Sequence, residues 1–269
     1  MKLTIDQKTF ESVVLSATSS TADIFGTIEV HFEETENRMD CELFGGFDYT
    51  EVEGIKNIAL RLVCLRTYYE QIPHLDLVLT PTGFGVVSNE NVAPASTERV
   101  KELRKQVKAA YDDAYDDAIL ALLGSDWVKG VNGRIHTNSL YLTAKDLRDY
   151  ACLPDAHRSD LLERLVQIAE AEEYIRRYVS SEFFEVLLEG VRAKDLNIEY
   201  RMLVHELKLA VAGWLHGNKN VLRMKLANIV NKMESNIDDY TEYKNSEAYK
   251  VKHFEHFKNA KDDTTYFFG

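Results

Sequence analysis

The sequence lacks most of the residues and spacings that announce chemistry. Its three cysteines, Cys41, Cys64 and Cys152, lie far apart and form no CxxC. They read as small buried apolar residues of a reducing compartment, the usual setting of unpaired thiols. No Gly-x-Ser-x-Gly, His-Glu-x-x-His or Cys/His cluster is present, which removes the commonest hydrolase and zinc signatures. Gly83-Phe84-Gly85 is not a phosphate loop, because no helix starts directly after it and no Lys-Ser/Thr follows. Positive charge is also short: 32 Lys and Arg stand against 44 Asp and Glu, a net charge of −12. That balance disfavours duplex binding, which depends on cations displacing counterions from phosphates, and no sequence-specific nucleic-acid binding is expected. No window approaches the ~18 uninterrupted apolar residues of a membrane span. The opening MKLTIDQKTF has no apolar core of a secretory leader, so the chain is expected in the cytoplasm where it is made.

What is present is helix. The 269 residues, 45% of them apolar, suit one large domain or two of ordinary size. Periodicity predicts a short helix over residues 4–15, with Thr4 and Gln7 at capping-box spacing. A longer helix spans 23–44, with Ile24, Phe25, Ile28, Phe32, Met39 and Leu43 as its apolar stripe, ended by Gly45 and Gly46. Residues 55–72 are strongly apolar, and Pro73 stops them. A β-hairpin follows over 75–88: Leu75, Leu77 and Leu79 alternate along one strand, Pro81 and Gly83 supply the turn, and Phe84 and Val86 return. Ser96 caps a long helix over 96–123. Its Lys101, Arg104, Lys105 and Lys108 come early and its Asp112, Asp113, Asp116 and Asp117 late, an order that opposes the helix macrodipole. Residues 125–139 read as a turn-rich linker. Helices are expected over 143–152, 159–188, 197–216 and 220–237, then an extended or partly helical tail over 239–269, outside the core. The expected domains are thus 1–124 and 140–238, and the fold class is mainly α.

Two stretches run in parallel. Each opens with Leu-Thr, at Leu3-Thr4 and Leu142-Thr143, and each Thr is followed three residues on by a residue able to close a cap, Gln7 or Asp146. Each short helix ends in a polar loop, after which Asp23 or Asp160 starts a longer helix. Ile24, Phe25 and Ile28 then correspond to Leu161, Leu162 and Leu165. A more apolar third helix follows in both. The pattern predicts two pseudo-repeated three-helix units, the first carrying the hairpin and the long extra helix as an insertion, the second carrying the tail.

This order, with Tyr68-Tyr69 and Trp214 as aromatic clusters ending the third helices, resembles the head–tail connector (adaptor) proteins of tailed bacteriophages. Residues 142–219 match best, through LTAKDLRDYACLPDAHRSDLLERLVQIAEAEEYIRRYV and VHELKLAVAGWLHGNK. The hairpin stretch and the ending DDTTYFFG are also similar to uncharacterised proteins of phages and prophages of Bacteroides-like bacteria. The resemblance implies a ring-forming virion protein of the neck, made in the host bacterial cytoplasm, docking on the portal protein and receiving tail or neck components. The duplication and the greater length depart from typical adaptors, so no ring stoichiometry carries over.

The hairpin and tail suit that role. An isolated two-stranded ribbon is marginally stable, and its edge can be completed by another chain or covered by its own helices. The expected partner contacts are Leu75, Leu77, Leu79, Phe84 and Val86, with Tyr240, Tyr243, Tyr249, Phe254, Phe257, Tyr266, Phe267 and Phe268 of the tail. No catalytic, cofactor or metal residue is expected. The four aspartates of the long helix read as a solvated acidic face, with an ion bridging i, i+4 carboxylates as the alternative. His253 and His256 have a metal spacing but lie in a lysine-rich tail. His205 reads as a satisfied structural histidine, and Glu170, Glu172 and Glu173 near Arg176 and Arg177 as surface ion pairs. The competing reading is a helical interaction or regulatory protein that is not part of a virion; a third is an enzyme using the acidic helix with a metal.

Overall fold

The computed structural model describes residues 3–17, 23–75, 78–80, 83–85 and 96–254. The fold is mainly helical, as the periodicity predicts. It divides into two compact units, Met1–Arg164 with Arg192–Asp195, and Leu165–Val191 with Leu196–Gly269. The boundary expected at 125–139 is therefore misplaced.

In the first unit, α1 (Gln7–Val13) is capped by Asp6, whose carboxylate accepts from the Thr9 N–H at 2.7 Å. The cap expected from Thr4 and Gln7 does not form, and Gln7 instead donates to Glu11 at 2.8 Å. Asp23 does cap α2 (Ile24–Ile28), accepting from the Gly26 N–H at 2.8 Å. The helical path then tightens into a 3₁₀ turn, Glu29–His31, regularises as α3 (Phe32–Met39), and widens into a π-helical turn, Asp40–Phe44. Gly45 ends it in the left-handed conformation, φ 63°, where a Cβ would be strained.

Helix α4 (Ile55–Leu75) runs through Pro73. A proline in the last turn forfeits a single amide donor close to the helix end, so the stop expected there falls two residues later. Leu75 is helical for the same reason, and the strand expected from it starts at β1 (Val78–Thr80), which pairs antiparallel with β2 (Gly83–Gly85), Leu79 opposite Phe84. Ser96 caps α5 (Thr97–Leu122). Helices α4 and α5 pack antiparallel, a register fixed by contacts of Tyr69 with Arg104 (4.6 Å), Arg66 with Tyr111 (3.3 Å) and Arg61 with Asp117 (3.5 Å). Beneath α1 and α3 the core is aromatic, with Phe10 5.8 Å from Phe32 and 6.2 Å from Tyr68.

Residues 125–139 are folded rather than linking. A 3₁₀ turn, Asp126–Lys129, leads into α6 (Val131–His136), and Trp127 is buried. Helix α7 (Ala144–Tyr150) then carries the capping box read from the sequence, with the Asp146 carboxylate accepting from the Thr143 N–H at 3.1 Å. In α8 (Arg158–Glu163) the N-cap is His157, and Asp160 closes the box from the third helical position. Asp23 and Asp160 thus sit at different cap positions, and Leu162 and Leu165 are exposed where Ile28 is buried.

The second unit contains α9 (Leu165–Val179), α10 (Ser181–Ala193), α11 (Ile198–Leu215), α12 (Lys219–Ser235), α13 (Thr241–Asn245) and α14 (Glu247–Lys252). The last residues of α10 count with the first unit. The single helix expected over 159–188 breaks at Arg164 and again at Ser180, which takes φ 82° and whose hydroxyl accepts from the Phe183 N–H at 3.0 Å. Asn197 caps α11 through the Tyr200 N–H at 2.8 Å. The start of the tail belongs to the core: Tyr240 stacks on Tyr200 at 5.9 Å, and Tyr243 lies 5.7 Å from Phe183. Tyrosines this apolar over most of their surface are drawn inward once their hydroxyls find acceptors. Here Glu242 takes that of Tyr200, and Glu234 that of Tyr243 at 3.2 Å. Of the cysteines only Cys64 is buried; Cys41 and Cys152 are exposed.

Candidate functional site

The first half of α5 and the chain around the start of α8 bound a groove of about 490 Å³. Lys101, Arg104, Lys105 and Lys108 line one wall at i, i+3, i+4 and i+7, one face of the helix. Tyr69 and Ala109 add apolar surface, and Asp155, Ser159 and Asp160 line it further. The four cations are not equivalent. Lys108 pairs with Asp112, and the Arg104 guanidinium lies 4.6 Å from the Tyr69 ring centre, a cation–π contact. Lys101 and Lys105 are exposed and have no carboxylate partner among the described residues. Like charges at i, i+4 each disfavour the helix by roughly a few tenths of a kcal/mol, so local stability does not account for this row.

The acidic half of α5 is not the solvated face expected. Asp112 and Asp116 are buried, and each of the four carboxylates meets a cation: Asp112 meets Lys108, Asp113 meets Arg148 at 3.2 Å, Asp116 meets Arg158 at 2.7 Å and Asp117 meets Arg61 at 3.5 Å. Among the described residues no group of three or more His, Cys, Asp or Glu is placed to hold a metal ion. The pairing explains why acidic residues persist late in a helix against its dipole: three of the four find their partners on other elements.

Asp116 anchors a buried polar network. It also accepts from the Ala144 N–H at 2.7 Å, at the start of α7. Burial pushes its carboxyl above the usual aspartate range, against the pull of that N–H and of Arg158. Arg158 lies over the Tyr115 ring at 4.3 Å and reaches Nδ1 of His136 at 3.3 Å. The opposite ring nitrogen, Nε2, is 3.1 Å from the Glu42 carbonyl. A carbonyl and a guanidinium leave one assignment: Nε2 carries the proton and donates, and Nδ1 accepts. Burial, reinforced by Arg158 and opposed by the Glu42 carbonyl, holds the His136 pKa below the ordinary 6.5.

His136 is also one of three side chains that finish the π-helical turn. Asn132 Nδ2 donates to the Cys41 carbonyl at 2.7 Å, His136 to Glu42, and Trp127 Nε1 to Leu43 at 2.9 Å. Helix ends leave carbonyls without intrahelical donors, and here consecutive ones are served from a single segment. Sequence reading missed this segment; its one signal was a tryptophan in a stretch that otherwise looked like a linker.

The expected partner residues scatter. Leu75 is half-buried and lines a small apolar pocket with Tyr68, Ile72, Val100 and Leu103. Leu79 and Phe84 are backbone partners in the ladder register, while Leu77 and Val86 lie outside the described residues. Tyr240 and Tyr243 are buried, Tyr249 is half-buried with its ring 5.5 Å from Tyr243, and Phe254 is 69% exposed. Phe257, Tyr266, Phe267, Phe268 and His256 also lie outside the described residues. His253 stacks on Tyr249 at 4.2 Å and lies 3.6 Å from Glu234. His205 is exposed on α11 instead of structural. The Glu173–Arg177 pair forms at 3.5 Å, whereas Arg176 turns to Glu185 at 2.7 Å and Glu172 is buried.

A family model described as a family of unknown function (DUF6712) matches residues 23–126, from the cap of α2 to the first residue after Ser125. No curated protein and no solved structure matches the chain. Among the described residues no helix is long and apolar enough to cross a membrane.

Proposed function

We propose that the chain is a virion assembly protein, a head–tail connector of a tailed phage or prophage that docks on the portal, self-associates into a ring and receives neck or tail components. The observation that carries this reading is the arrangement of exposed apolar side chains. Val131 and Ile135 stand one turn apart on α6, and Ile198 and Met202 one turn apart on α11, all exposed. Paired surface apolars at helical spacing mark contact surfaces where scattered single ones do not. The resemblance over residues 142–219 supports the virion setting. Phe254, with Phe257, Tyr266, Phe267 and Phe268 and the hairpin edge, carries the partner contacts; Tyr240 and Tyr243 serve the core. The same reading takes the two Leu-Thr-initiated runs as duplicated modules, supported by their matching openings and by Asp23 and Asp160, which accept backbone N–H bonds at the starts of α2 and α8.

Quantitative mass spectrometry of purified particles from the source phage or an induced lysogen tests it. The chain at a fixed low multiple of the portal supports the connector role and gives its stoichiometry. The chain in lysate but never in particles overturns it and leaves a helical interaction protein.

A further inference from the structure

The first unit carries two unlike surface patches that match each other. One is the groove wall of α5, where Lys101 and Lys105 are exposed without carboxylate partners among the described residues. The other surrounds Val30, which is 73% exposed. Glu29 beside it and Glu33 one turn later are exposed and have no cation partner among the described residues. The groove holds about 490 Å³; its apolar surface comes from Tyr69 and Ala109, and Asp155 and Asp160 also line it.

The patches lie on different elements, each packed against α4. Tyr69 meets α5 through Arg104, whereas α3 meets α4 through Thr35–Thr67 at 3.0 Å and Arg38–Glu70 at 3.0 Å. Successive helix positions point about 100° apart, so Tyr69 and Glu70 look in different directions. Two complementary patches on different elements of one molecule define a heterologous contact, the kind that repeats from copy to copy and closes into a ring when the rotation permits.

We propose that the groove of one copy receives the Glu29–Val30–Glu33 surface of a second copy, with the carboxylates against Lys101 and Lys105 and Val30 against Tyr69 and Ala109. This rests on the assembly reading and names the surfaces of its self-contact. It also gives the lysine row a use that outweighs its repulsion within α5.

Sedimentation velocity of the full chain at about 50 mM and about 500 mM salt tests the contact, since a contact made by exposed charges weakens as the screening length shrinks. Concentration-dependent oligomers are expected at low salt and monomers at high salt. The Lys101→Glu/Lys105→Glu and Glu29→Lys/Glu33→Lys variants should each associate on the order of a hundredfold more weakly; all four positions are exposed, and unchanged far-ultraviolet circular dichroism checks the fold. An equal mixture of the two should regain association with the two chains alternating, because the native pairing forms at one face and the charge-swapped pairing at the other, and all four reversals in one chain should restore it likewise. A wild type that stays monomeric at low salt, or a variant that assembles as the wild type does, overturns the proposal. The particle assay separates the two claims. Variants entering particles at wild-type copy number overturn the self-contact while the assembly role stands. Salt-sensitive self-association of a chain absent from particles upholds the contact and overturns the role.

Discussion

Arg158 in the first unit and Tyr243 in the second are both buried, yet they are held by opposite kinds of chemistry. Arg158 is locked by a carboxylate, an imidazole and an aromatic face, and removing it strands Asp116 in the interior. Tyr243 is held by rings, Phe183 at 5.7 Å and Tyr249 at 5.5 Å, with one hydroxyl contact to Glu234. At these two positions the first unit is held by complementary charge and the second by shape. A buried pair is weak evidence of net stability, because desolvation offsets much of its attraction, but it tolerates few geometries. Aromatic packing stabilises more and discriminates less.

The largest effects should expose that difference. Arg158→Ala and Tyr243→Ala are each expected to lower unfolding free energy by about 3–5 kcal/mol, the first through an unpaired buried charge and the second through a cavity. Denaturant titration should then separate them: adding Asp116→Asn recovers part of the first loss, and no polar change near Glu234 recovers the second. Gly133→Ala should cost about 1–3 kcal/mol as an overpacking change, since its Cβ would sit 2.1 Å from the Trp127 carbonyl oxygen. With Trp214→Phe as background, Trp127 fluorescence assigns that loss to the first unit.

A smaller effect depends on pH. The folded chain keeps His136 neutral below the ordinary imidazole range, so the unfolded chain takes up the proton first as pH falls. The His136 contribution is full above about 6.5 and is lost as pH falls through the depressed folded value. His136→Gln should start less stable at pH 7 and show a flatter decline below 6.5 by Trp127 fluorescence; an identical slope in the two proteins would reject this account. Asp116 is common to both and cancels. The smallest effect is at the Lys129–Asp126 pair, where both side chains are exposed; Lys129→Ala should leave the thermal midpoint unchanged.

The sequence was legible where the decisive partner was local. Asn197 and Ser96 cap from within their own turns, Asp146 closes on Thr143, and Gly45 stops a helix by its own backbone. It misled where the partner was distant. Asp113, Asp116 and Asp117 look like a wet acidic face until Arg148, Arg158 and Arg61 are brought beside them, and Lys101 and Lys105 become a site only when the chain around α8 forms a second wall. Tyr240 and Tyr243 looked like interface anchors because aromatic spacing is the same for a core and a contact surface. Pro73 looked like a stop because its effect depends on how much helix remains beyond it.

The capped π-helical turn has a consequence for how the protein is made. Its three donors, Trp127, Asn132 and His136, reach their carbonyls across 84, 91 and 94 residues. Closing loops of that size is slow compared with forming single helices. On the ribosome, α1 to α4 can collapse early, but their turn stays open until the chain through His136 has emerged. A nascent chain paused at Asp126, where the family match ends, holds its apolar core with the last carbonyls of the turn unserved. Synthesis order thus makes the emergence of residues 127–136 the step that closes this turn.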